Sequence, residues 1–198
     1  MVVETRFQEN AERVRHGKTR EGQIARALSE QHALKLEDAT ETEDKHQKID
    51  RWLVDGDKKT AVQIKYRETG DDLLFEVFYH WDGFNTGTNK IGRAMVGAAK
   101  LYAVLRADRT TVVMASTDVA KGIINEMLAT AKAVGWTVNV SPSQKTLKYA
   151  KFGGVCELKV QRDPRDGRTK MVAYIPAQVF IMEYQAKVYH VAMPRKWQ

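Results

Sequence analysis

The sequence predicts an α/β fold, a mixed β-sheet with helices packed on its faces. Three strand-like segments follow one another within residues 47–81, and further strands alternate with helical segments from residue 93 onward. Successive strands favour antiparallel pairing and alternation with helices favours parallel neighbours, so the two patterns together predict a mixed sheet. Short connections and 43% hydrophobic content in 198 residues predict one domain, with its core in residues 20–140.

The first helix is predicted over residues 19–38, because Ile24, Leu36 and apolar residues between them recur at helical spacing. Residues on a helix advance by about 100° each, which puts Glu21 on this apolar stripe and Glu30 on the opposite side. Glu21 is therefore expected to face the core.

The remaining elements are predicted from local pattern. The strands QKIDRWLV, TAVQIKYR and DLLFEVFYHW should pair as a meander. The Gly/Asn-rich loop DGFNTGTNKIG leads to a helix, RAMVGAAKLYAVL, a strand, TTVVMAS, a second helix, TDVAKGIINEMLATAKAVG, and a strand, WTVNV. The segments VCELKVQ and TKMVAYI, joined by RDPRDGR with Pro and Gly in the turn, predict a basic C-terminal β-hairpin extension within residues 141–198.

The positive charge is concentrated near the C-terminus. The formal net charge is +7, and residues 141–198 contain 11 Lys and Arg against 4 Asp and Glu, whereas residues 1–140 contain 21 of each. A basic region on a neutral body is typical of a protein that binds a polyanion, usually a nucleic acid. A solvated basic surface is the alternative that charge alone leaves open.

Three basic segments are candidates for contact with a nucleic acid. In SQKTLKYAKFGG, Lys145, Lys148 and Lys151 recur at every third residue, which on a helix makes a basic ridge suited to a phosphate backbone. The loop GFNTGTNKIGR lacks the G-x-x-x-x-G-K-[ST] pattern of a phosphate loop. The other candidates lie at the hairpin tip and in this loop: Arg162, Arg165, Arg168, Lys170, Lys90 and Arg93.

Nothing in the sequence indicates a membrane or secreted protein. No run of 18 apolar residues occurs, and the charged N-terminal segment has no signal-peptide pattern. Cys156 is the single cysteine, so an internal disulfide is excluded and a four-ligand zinc site is not expected. We expect a soluble, cytoplasmic protein.

The hairpin formed by the first two predicted strands brings polar residues together. If DGDK, residues 55–58, is the turn, residues whose numbers sum to 113 lie opposite one another. Asp50 then faces Gln63, and side-chain alternation puts Lys65 on the same face as Gln63. Opposed residues have Cβ atoms roughly 5 Å apart, so a carboxylate, an amide and an ammonium should converge.

This combination suits phosphodiester hydrolysis. Oxygen ligands hold Mg²⁺, which takes few protein ligands, and a nearby lysine stabilises developing negative charge. Glu21 is a candidate fourth member, delivered over the sheet by the first helix, and Glu76 is a lesser candidate for an additional acid. A structural Asp–Lys pair on a solvated sheet face is the alternative interpretation.

A helix with an inward Glu, then Asp, twelve residues, and an amide–x–Lys strand resembles the PD-(D/E)xK nuclease superfamily. The resemblance covers roughly residues 20–140 and implies a restriction-endonuclease-like fold with a helix, a three-stranded meander, a helix and further strands. It implies metal ligation by Asp50, Gln63, Glu21 and the backbone carbonyl of Ile64, with Lys65 as the catalytic lysine. Gln63 replaces the usual acid, as in the endonuclease subunit of heteromeric transposases and some restriction enzymes.

The resemblance implies a divalent-metal-dependent nuclease, an endonuclease that hydrolyses DNA phosphodiester bonds with Mg²⁺ or Mn²⁺. The expected partner is nucleic acid, above all DNA, and no membrane; whether the chain is a monomer or a homodimer stays open. Two alternatives remain: a non-catalytic nucleic-acid-binding protein that retains the nuclease fold, and a structural or assembly protein with a basic contact face.

Overall fold

The computed structural model describes residues 19–84, 87–136, 146–163 and 167–193. The helices are α1 (residues 19–32), α2 (Arg93–Val96), α3 (Thr117–Ala133) and α4 (Ala177–Tyr184), with one π-helical turn at Glu43–Gln47. The strands are β1 (Lys35–Asp38), β2 (Arg51–Asp55), β3 (Lys58–Tyr66), β4 (Asp72–His80), β5 (Lys90–Ile91), β6 (Leu101–Leu105), β7 (Thr111–Ser116), β8 (Thr146–Lys151), β9 (Gly154–Arg162), β10 (Thr169–Pro176) and β11 (Lys187–His190). The predicted α/β class and mixed sheet are therefore confirmed.

The first sheet has six strands in the order β1-β2-β3-β6-β7-β11. Its neighbours pair antiparallel except β3 and β6, which are parallel. A parallel pair needs a long connection, and residues 67–100, which include β4, β5 and α2, supply it.

The second sheet has five strands in the order β5-β4-β10-β9-β8, all antiparallel. Strands β9 and β10 pair with each other over Thr169–Tyr174, but β10 also pairs with β4 on its other edge. The segment predicted as an appended basic hairpin therefore contributes central strands to this sheet.

Helix α1 covers one face of the first sheet. Its buried residues Ile24 and Leu28 pack against Val62 and Ile64 of β3, and all four side chains are fully enclosed. Burial of each such side chain stabilises the fold by about 1.5–3 kcal/mol, which anchors α1 on this sheet.

The second sheet, α3 and α4 cover the opposite face of the first sheet. Tyr102 and Val104 of β6 share a core cluster with Phe75 of β4, Ile123 of α3 and Phe180 of α4. Gln63, the register partner of Tyr102, therefore lies on the side of β3 that faces the second sheet, and Val62 and Ile64 lie on the side that faces α1.

The first helix is shorter than predicted. It ends at residue 32, Ala33 adopts a left-handed φ of 55°, and Leu36 lies in β1 opposite Leu53. The apolar spacing of Leu36 fits either a helix or a strand, and pairing with β2 decides between them.

The predicted meander of the strands now numbered β2, β3 and β4 is wrong. Strand β4 pairs with β10 in the second sheet, and the antiparallel meander consists of β1, β2 and β3. The edge of β3 that β4 was expected to occupy is taken by β6. Hydrophobic alternation indicates a strand but not its partner, which is why the prediction failed.

The helix predicted over RAMVGAAKLYAVL is also wrong in its second half. Only Arg93–Val96 is helical, and Leu101–Leu105 is strand β6. Gly92 precedes this short helix, and its α-carbon lies so close to β4 that a Cβ would be 2.0 Å from the carbonyl oxygen of Glu76. A glycine is required there because any side chain would collide with the strand.

Among the described residues, no helix is both long and apolar enough to cross a lipid bilayer.

Candidate active site

The predicted register of the β2–β3 hairpin is confirmed. Arg51 pairs with Val62 and Asp55 with Lys58, so opposed residue numbers sum to 113. Asp50 precedes β2 by one residue, and its backbone N–H donates to the carbonyl oxygen of Val62 at 3.0 Å. The same register places Asp50 opposite Gln63.

The Asp50 carboxylate is held by β3. Its Oδ2 accepts the backbone N–H of Ile64 at 2.7 Å and the ammonium of Lys65 at 3.4 Å. The side chain is 11% exposed. Both contacts go to one oxygen, and Oδ1 has no hydrogen-bond partner in the part of the chain that the structure describes. One carboxylate oxygen is therefore available to a ligand.

Helix α1 brings the second carboxylate to the same lysine. Oε1 of Glu21 lies 2.6 Å from Nζ of Lys65, and the Glu21 side chain is 20% exposed. The Glu30 side chain is 58% exposed and pairs with Arg26, so the predicted helix face is confirmed. Lys65 thus bridges an acid from α1 and an acid from the hairpin.

The Glu21 carboxyl titrates at a higher pH than an exposed glutamate. Burial raises its pKa, Lys65 partly opposes this shift, and the charge of Asp50 adds to it. The pKa of Glu21 is therefore raised because its carboxyl is buried and a second acid lies nearby.

Gln63 is the least satisfied member of the cluster. It is 8% exposed, and its side-chain amide makes no hydrogen bond to any described residue. Its amide atoms are not among the described buried side-chain atoms that lack a hydrogen-bond partner, so the amide reaches solvent. Because Gln63 lies on the Lys65 face of β3, its amide is positioned to accept an outside ligand.

These residues fit a divalent cation. Carboxylate, amide and backbone carbonyl oxygens are the ligands that Mg²⁺ accepts, and Mg²⁺ retains several waters. A cation would be ligated by Asp50 Oδ1 and by the side-chain amide oxygen of Gln63, neither of which has a hydrogen-bond partner among the described residues. Glu21 and Asp50 offset Lys65 to leave one net negative charge. Within the described ranges, no three Asp, Glu, His or Cys side chains group tightly enough to hold a metal.

A cleft of about 130 Å³ opens beside the cluster, and its charged residues Asp44 and Arg51 were not predicted from the sequence. Glu21 and Asp50 line it together with Ala39, Asp44 and Arg51. Asp44 adds negative charge near Glu21 and further raises its pKa. Asp44 lies in the π-helical turn, where the acidic loop of the sequence offered no periodic signal.

Tyr102 is a third residue that the sequence did not suggest. It is the register partner of Gln63 on β6, so both side chains lie on one face of the sheet. Burial raises the pKa of its phenol, and the carboxylates of Asp50, Glu76 and Glu21 raise it further. Tyr102 therefore stays neutral and forms an uncharged wall of the site.

The predicted basic ridge is wrong. Residues 146–151 form strand β8 instead of a helix, so Lys148 and Lys151 lie on opposite faces. Lys151 is 17% exposed, and its ammonium lies 3.0 Å from Glu126 and 4.0 Å from Glu183. Lys145 lies outside the described residues. A lysine engaged by two acids is a structural cross-link between β8, α3 and α4.

The described basic residues of the predicted hairpin tip have different partners. Lys170 is engaged by Asp163 at 2.8 Å and Glu76 at 3.6 Å, so Glu76 has Lys170 as its ion-pair partner. Arg162 donates from Nε to the carbonyl oxygen of Gly167 at 3.1 Å. Arg165 and the side chain of Arg93 lie outside the part of the chain that is described.

Two predicted contact residues from distant segments do come together. Lys90 and Arg168 line one cleft of about 530 Å³ with His80, Thr88 and Asn89. Asn89 fixes the loop that forms the rim, because its side chain accepts from the Asp82 N–H at 2.7 Å and donates to the Gly83 carbonyl at 2.6 Å. This cleft is the basic surface that the structure supports.

Comparisons with protein-family models, with curated proteins and with solved structures found no match to this chain.

Proposed function

We propose that this chain is a divalent-metal-dependent nuclease that hydrolyses DNA phosphodiester bonds. The proposal depends on one observation: acids from two separate elements, Glu21 of α1 and Asp50 of the hairpin, converge on Lys65 beside a buried Gln63 without a hydrogen-bond partner. A structural Asp–Lys pair does not require the second acid.

Asp50 and Gln63 are the residues that would hold Mg²⁺ or Mn²⁺, with Glu21 and the Ile64 carbonyl as further donors. A cation bound there supplies charge neutralisation at the phosphate and lowers the pKa of a bound water. The Ile64 N–H fixes Asp50 Oδ2, which orients the carboxylate before any ligand arrives.

Lys65 supplies the positive charge that the reaction requires. Glu21 and Asp50, which line the cleft, hold its ammonium close to them, where negative charge on a phosphate oxygen would develop. A preorganised charge of this kind stabilises the transition state without reorganising during the reaction. Tyr102 and the second sheet shield the opposite side of the cluster.

The element order supports a restriction-endonuclease-like fold as part of the proposal. Helix α1 is followed by an antiparallel three-stranded meander, β1-β2-β3, with Asp50 at the start of its second strand and Lys65 in its third. This is the order that the resemblance to the PD-(D/E)xK superfamily implies.

The test is cleavage of supercoiled plasmid and of single-stranded DNA with Mg²⁺, with Mn²⁺ and with EDTA. We expect wild type to cut at least one of these substrates with metal and none with EDTA. Asp50→Asn should lose at least a hundredfold in rate, because it removes the carboxylate of the hairpin face. Asp57→Asn, in the exposed turn of the same hairpin, is the matched control and should cut at the wild-type rate.

Cleavage that persists in EDTA, or an Asp50→Asn variant that cuts as wild type does, would contradict the proposal. The non-catalytic alternative predicts DNA binding by wild type without cleavage at any metal concentration.

A further inference from the structure

A second pocket lies beside the catalytic cluster and is lined by arginines. It has a volume of about 210 Å³, and its lining residues are Arg20, Tyr66, Arg67, Glu68, Leu105 and Arg109. This arginine pocket forms where the start of α1, the end of β3 and the turn between β6 and β7 meet. It adjoins the cluster, because Arg20 precedes Glu21 and Arg67 follows Lys65 by two residues.

Arg67 is a partly buried cation without a carboxylate partner among the described residues. Its Nε is buried and has no hydrogen-bond partner, and its guanidinium lies 6.0 Å from the Tyr174 ring. The backbone N–H of Arg67 donates to the Leu105 carbonyl at 2.9 Å, which extends the β3–β6 pairing to this residue. A guanidinium that lines a pocket and has no carboxylate partner can bind an anion through its N–H donors.

Strand geometry relates Arg67 to Lys65. Residues two apart on a strand point to the same side, separated by about 6.5 to 7 Å. Lys65 in β3 and Arg67 directly after its end therefore follow one another along the chain, as neighbouring phosphates do along one strand of a nucleic acid.

The other ionised groups leave the pocket positive. Arg20 pairs with Glu68 at 3.0 Å and stacks on Tyr66 with 4.6 Å between guanidinium carbon and ring centre. Three guanidinium groups and one carboxylate line the pocket, which gives a formal charge of +2.

Arg109 is held over the pocket by a firm turn. Asp108 Oδ1 accepts the backbone N–H groups of Thr110 and Thr111, both at 2.9 Å. Arg109 has a φ of 58°, a left-handed conformation that costs a non-glycine residue about 1 kcal/mol or more. Glycine would adopt this conformation at a lower cost than arginine.

We propose that the arginine pocket binds a phosphoryl group of a nucleic-acid strand, one next to the phosphodiester that faces Lys65. Guanidinium groups match phosphate oxygens with paired N–H donors, which makes arginine the favoured residue for such contacts. A volume of 210 Å³ equals that of about seven water molecules, which admits a hydrated phosphate and is below the roughly 300 Å³ of pockets for larger organic ligands. The choice of a nucleic acid as source and the position next to the phosphodiester that faces Lys65 rest on the proposed function, whereas binding of a phosphoryl group does not.

The first experiment measures binding of inorganic phosphate by calorimetry and by thermal unfolding, at constant ionic strength set with chloride and in EDTA. Phosphate should raise the melting temperature of wild type. Arg67→Gln should weaken phosphate binding by about tenfold or more, which is the usual contribution of a hydrogen bond to a charged group. Arg109→Asn keeps a residue that tolerates positive φ and should also weaken binding, so the test does not depend on one variant folding.

Arg26→Gln is the matched control, because Arg26 lies on the exposed side of α1 and pairs with Glu30 at 2.7 Å. It should bind phosphate as wild type does. Phosphate binding that is absent in wild type, or unchanged in both Arg67→Gln and Arg109→Asn, would overturn the proposal.

The second experiment distinguishes the sources of the phosphoryl group. One short oligonucleotide is compared with a 5′-phosphate, with a 3′-phosphate and with neither, again in EDTA. A preference for one terminal phosphate that Arg67→Gln abolishes identifies a terminal group as the ligand. If the three oligonucleotides bind with equal affinity and Arg67→Gln weakens all three equally, the ligand is an internal phosphodiester. If neither Arg67→Gln nor Arg109→Asn alters the affinity for these oligonucleotides, the pocket is not a phosphate site.

Both experiments measure binding without a divalent cation. Failure of the nuclease proposal would appear as absent cleavage with phosphate binding intact. If the pocket proposal fails and the nuclease proposal holds, wild type, Arg67→Gln and Arg109→Asn should all cleave DNA with the same apparent affinity for it.

Discussion

Lys65 has two carboxylate partners of unequal distance, Glu21 at 2.6 Å and Asp50 at 3.4 Å, and its side chain is 38% exposed. The ammonium therefore sits between acids at a surface that solvent and substrate can reach. Such a position suits stabilisation of charge on a substrate, because the ammonium is held in place and remains accessible.

Lys65→Ala should retain the fold and lose cleavage by about 10²- to 10³-fold, because it removes one preorganised charge from the transition state. Plasmid cleavage with Mg²⁺ or Mn²⁺ measures the rate, and circular dichroism checks the fold. Lys59→Ala is the control, because Lys59 lies on the same strand and pairs with Glu37 at 2.7 Å, away from the cluster. Equal rates for Lys65→Ala and wild type would exclude Lys65 from catalysis.

Gln63→Glu should tighten metal binding on the order of tenfold, because added carboxylate charge strengthens sites for hard cations. Without metal the same change places a third negative group beside Asp50 and Glu21, so the melting temperature in EDTA should fall below that of wild type. Thermal unfolding across a Mn²⁺ titration measures both effects. Gln178→Glu, at an exposed position of α4, adds the same charge and should change neither the metal affinity nor the melting temperature in EDTA. An unaltered Mn²⁺ midpoint for Gln63→Glu would remove Gln63 from the ligand set.

At the scale of elements, β8 is joined to α3 by a polar cluster. Glu126 of α3 accepts from the Tyr149 hydroxyl at 2.8 Å and lies 3.0 Å from the Lys151 ammonium. Glu183 of α4 accepts the Phe152 N–H at 2.6 Å. These contacts fix an edge strand to two helices. Lys151, whose spacing in the sequence predicted a contact with DNA, is engaged by acids in this cluster.

Acid should weaken this attachment. Hydrogen bonds from Tyr149 and Lys151 hold the pKa of Glu126 below its ordinary value of 4.5. A lowered folded-state pKa stabilises the fold above pH 4.5, and this stabilisation is lost as the pH falls through the folded pKa. Glu126→Gln should therefore unfold at a lower temperature than wild type at pH 7, and the two melting temperatures should converge in stronger acid.

The matched lysine pair tests the same cluster at neutral pH. Lys151→Ala should lower the melting temperature, whereas Lys148→Ala, on the exposed face of β8, should not. Equal melting temperatures for the two variants, or a Glu126→Gln difference that does not change with pH, would mean that the cluster does not stabilise the fold.

At the scale of the whole molecule, the basic residues that the structure describes within residues 141–198 have different surroundings. Lys151 and Lys170 are engaged by acids, whereas Arg168 meets Lys90 in the cleft with His80. Two segments far apart in the sequence therefore supply one basic surface, on the second sheet.

Neutralising this surface with Lys90→Gln and Arg168→Gln together should weaken DNA binding for all sequences alike. Loss of two phosphate contacts should lower the slope of log affinity against log salt by about two. Lys35→Gln with Lys59→Gln removes the same charge from a pair bound to Glu37 and should leave the slope unchanged. An equal slope for both double variants would show that the cleft does not contact DNA.

Local features were predictable because short-range geometry determines them. A tight turn with an even loop length sets the β2–β3 register, so the opposition of Asp50 and Gln63 followed from residues 50–65 alone. Helical periodicity likewise identified the face of α1 that carries Glu21. Asp44, Tyr102 and the arginine pocket were not predictable, because they reach their positions through contacts between distant segments.

The sequence by itself therefore determined the α/β class, the hairpin register and the α1 face, which depend on periodicity and turn chemistry over a few residues. Only the tertiary structure decided that β4 joins the second sheet, that β6 takes its place beside β3, and that residues 146–151 form a strand. The physical reason is that apolar runs such as LYAVL satisfy a strand or a helix equally, and burial against β3 and β7 selects the strand.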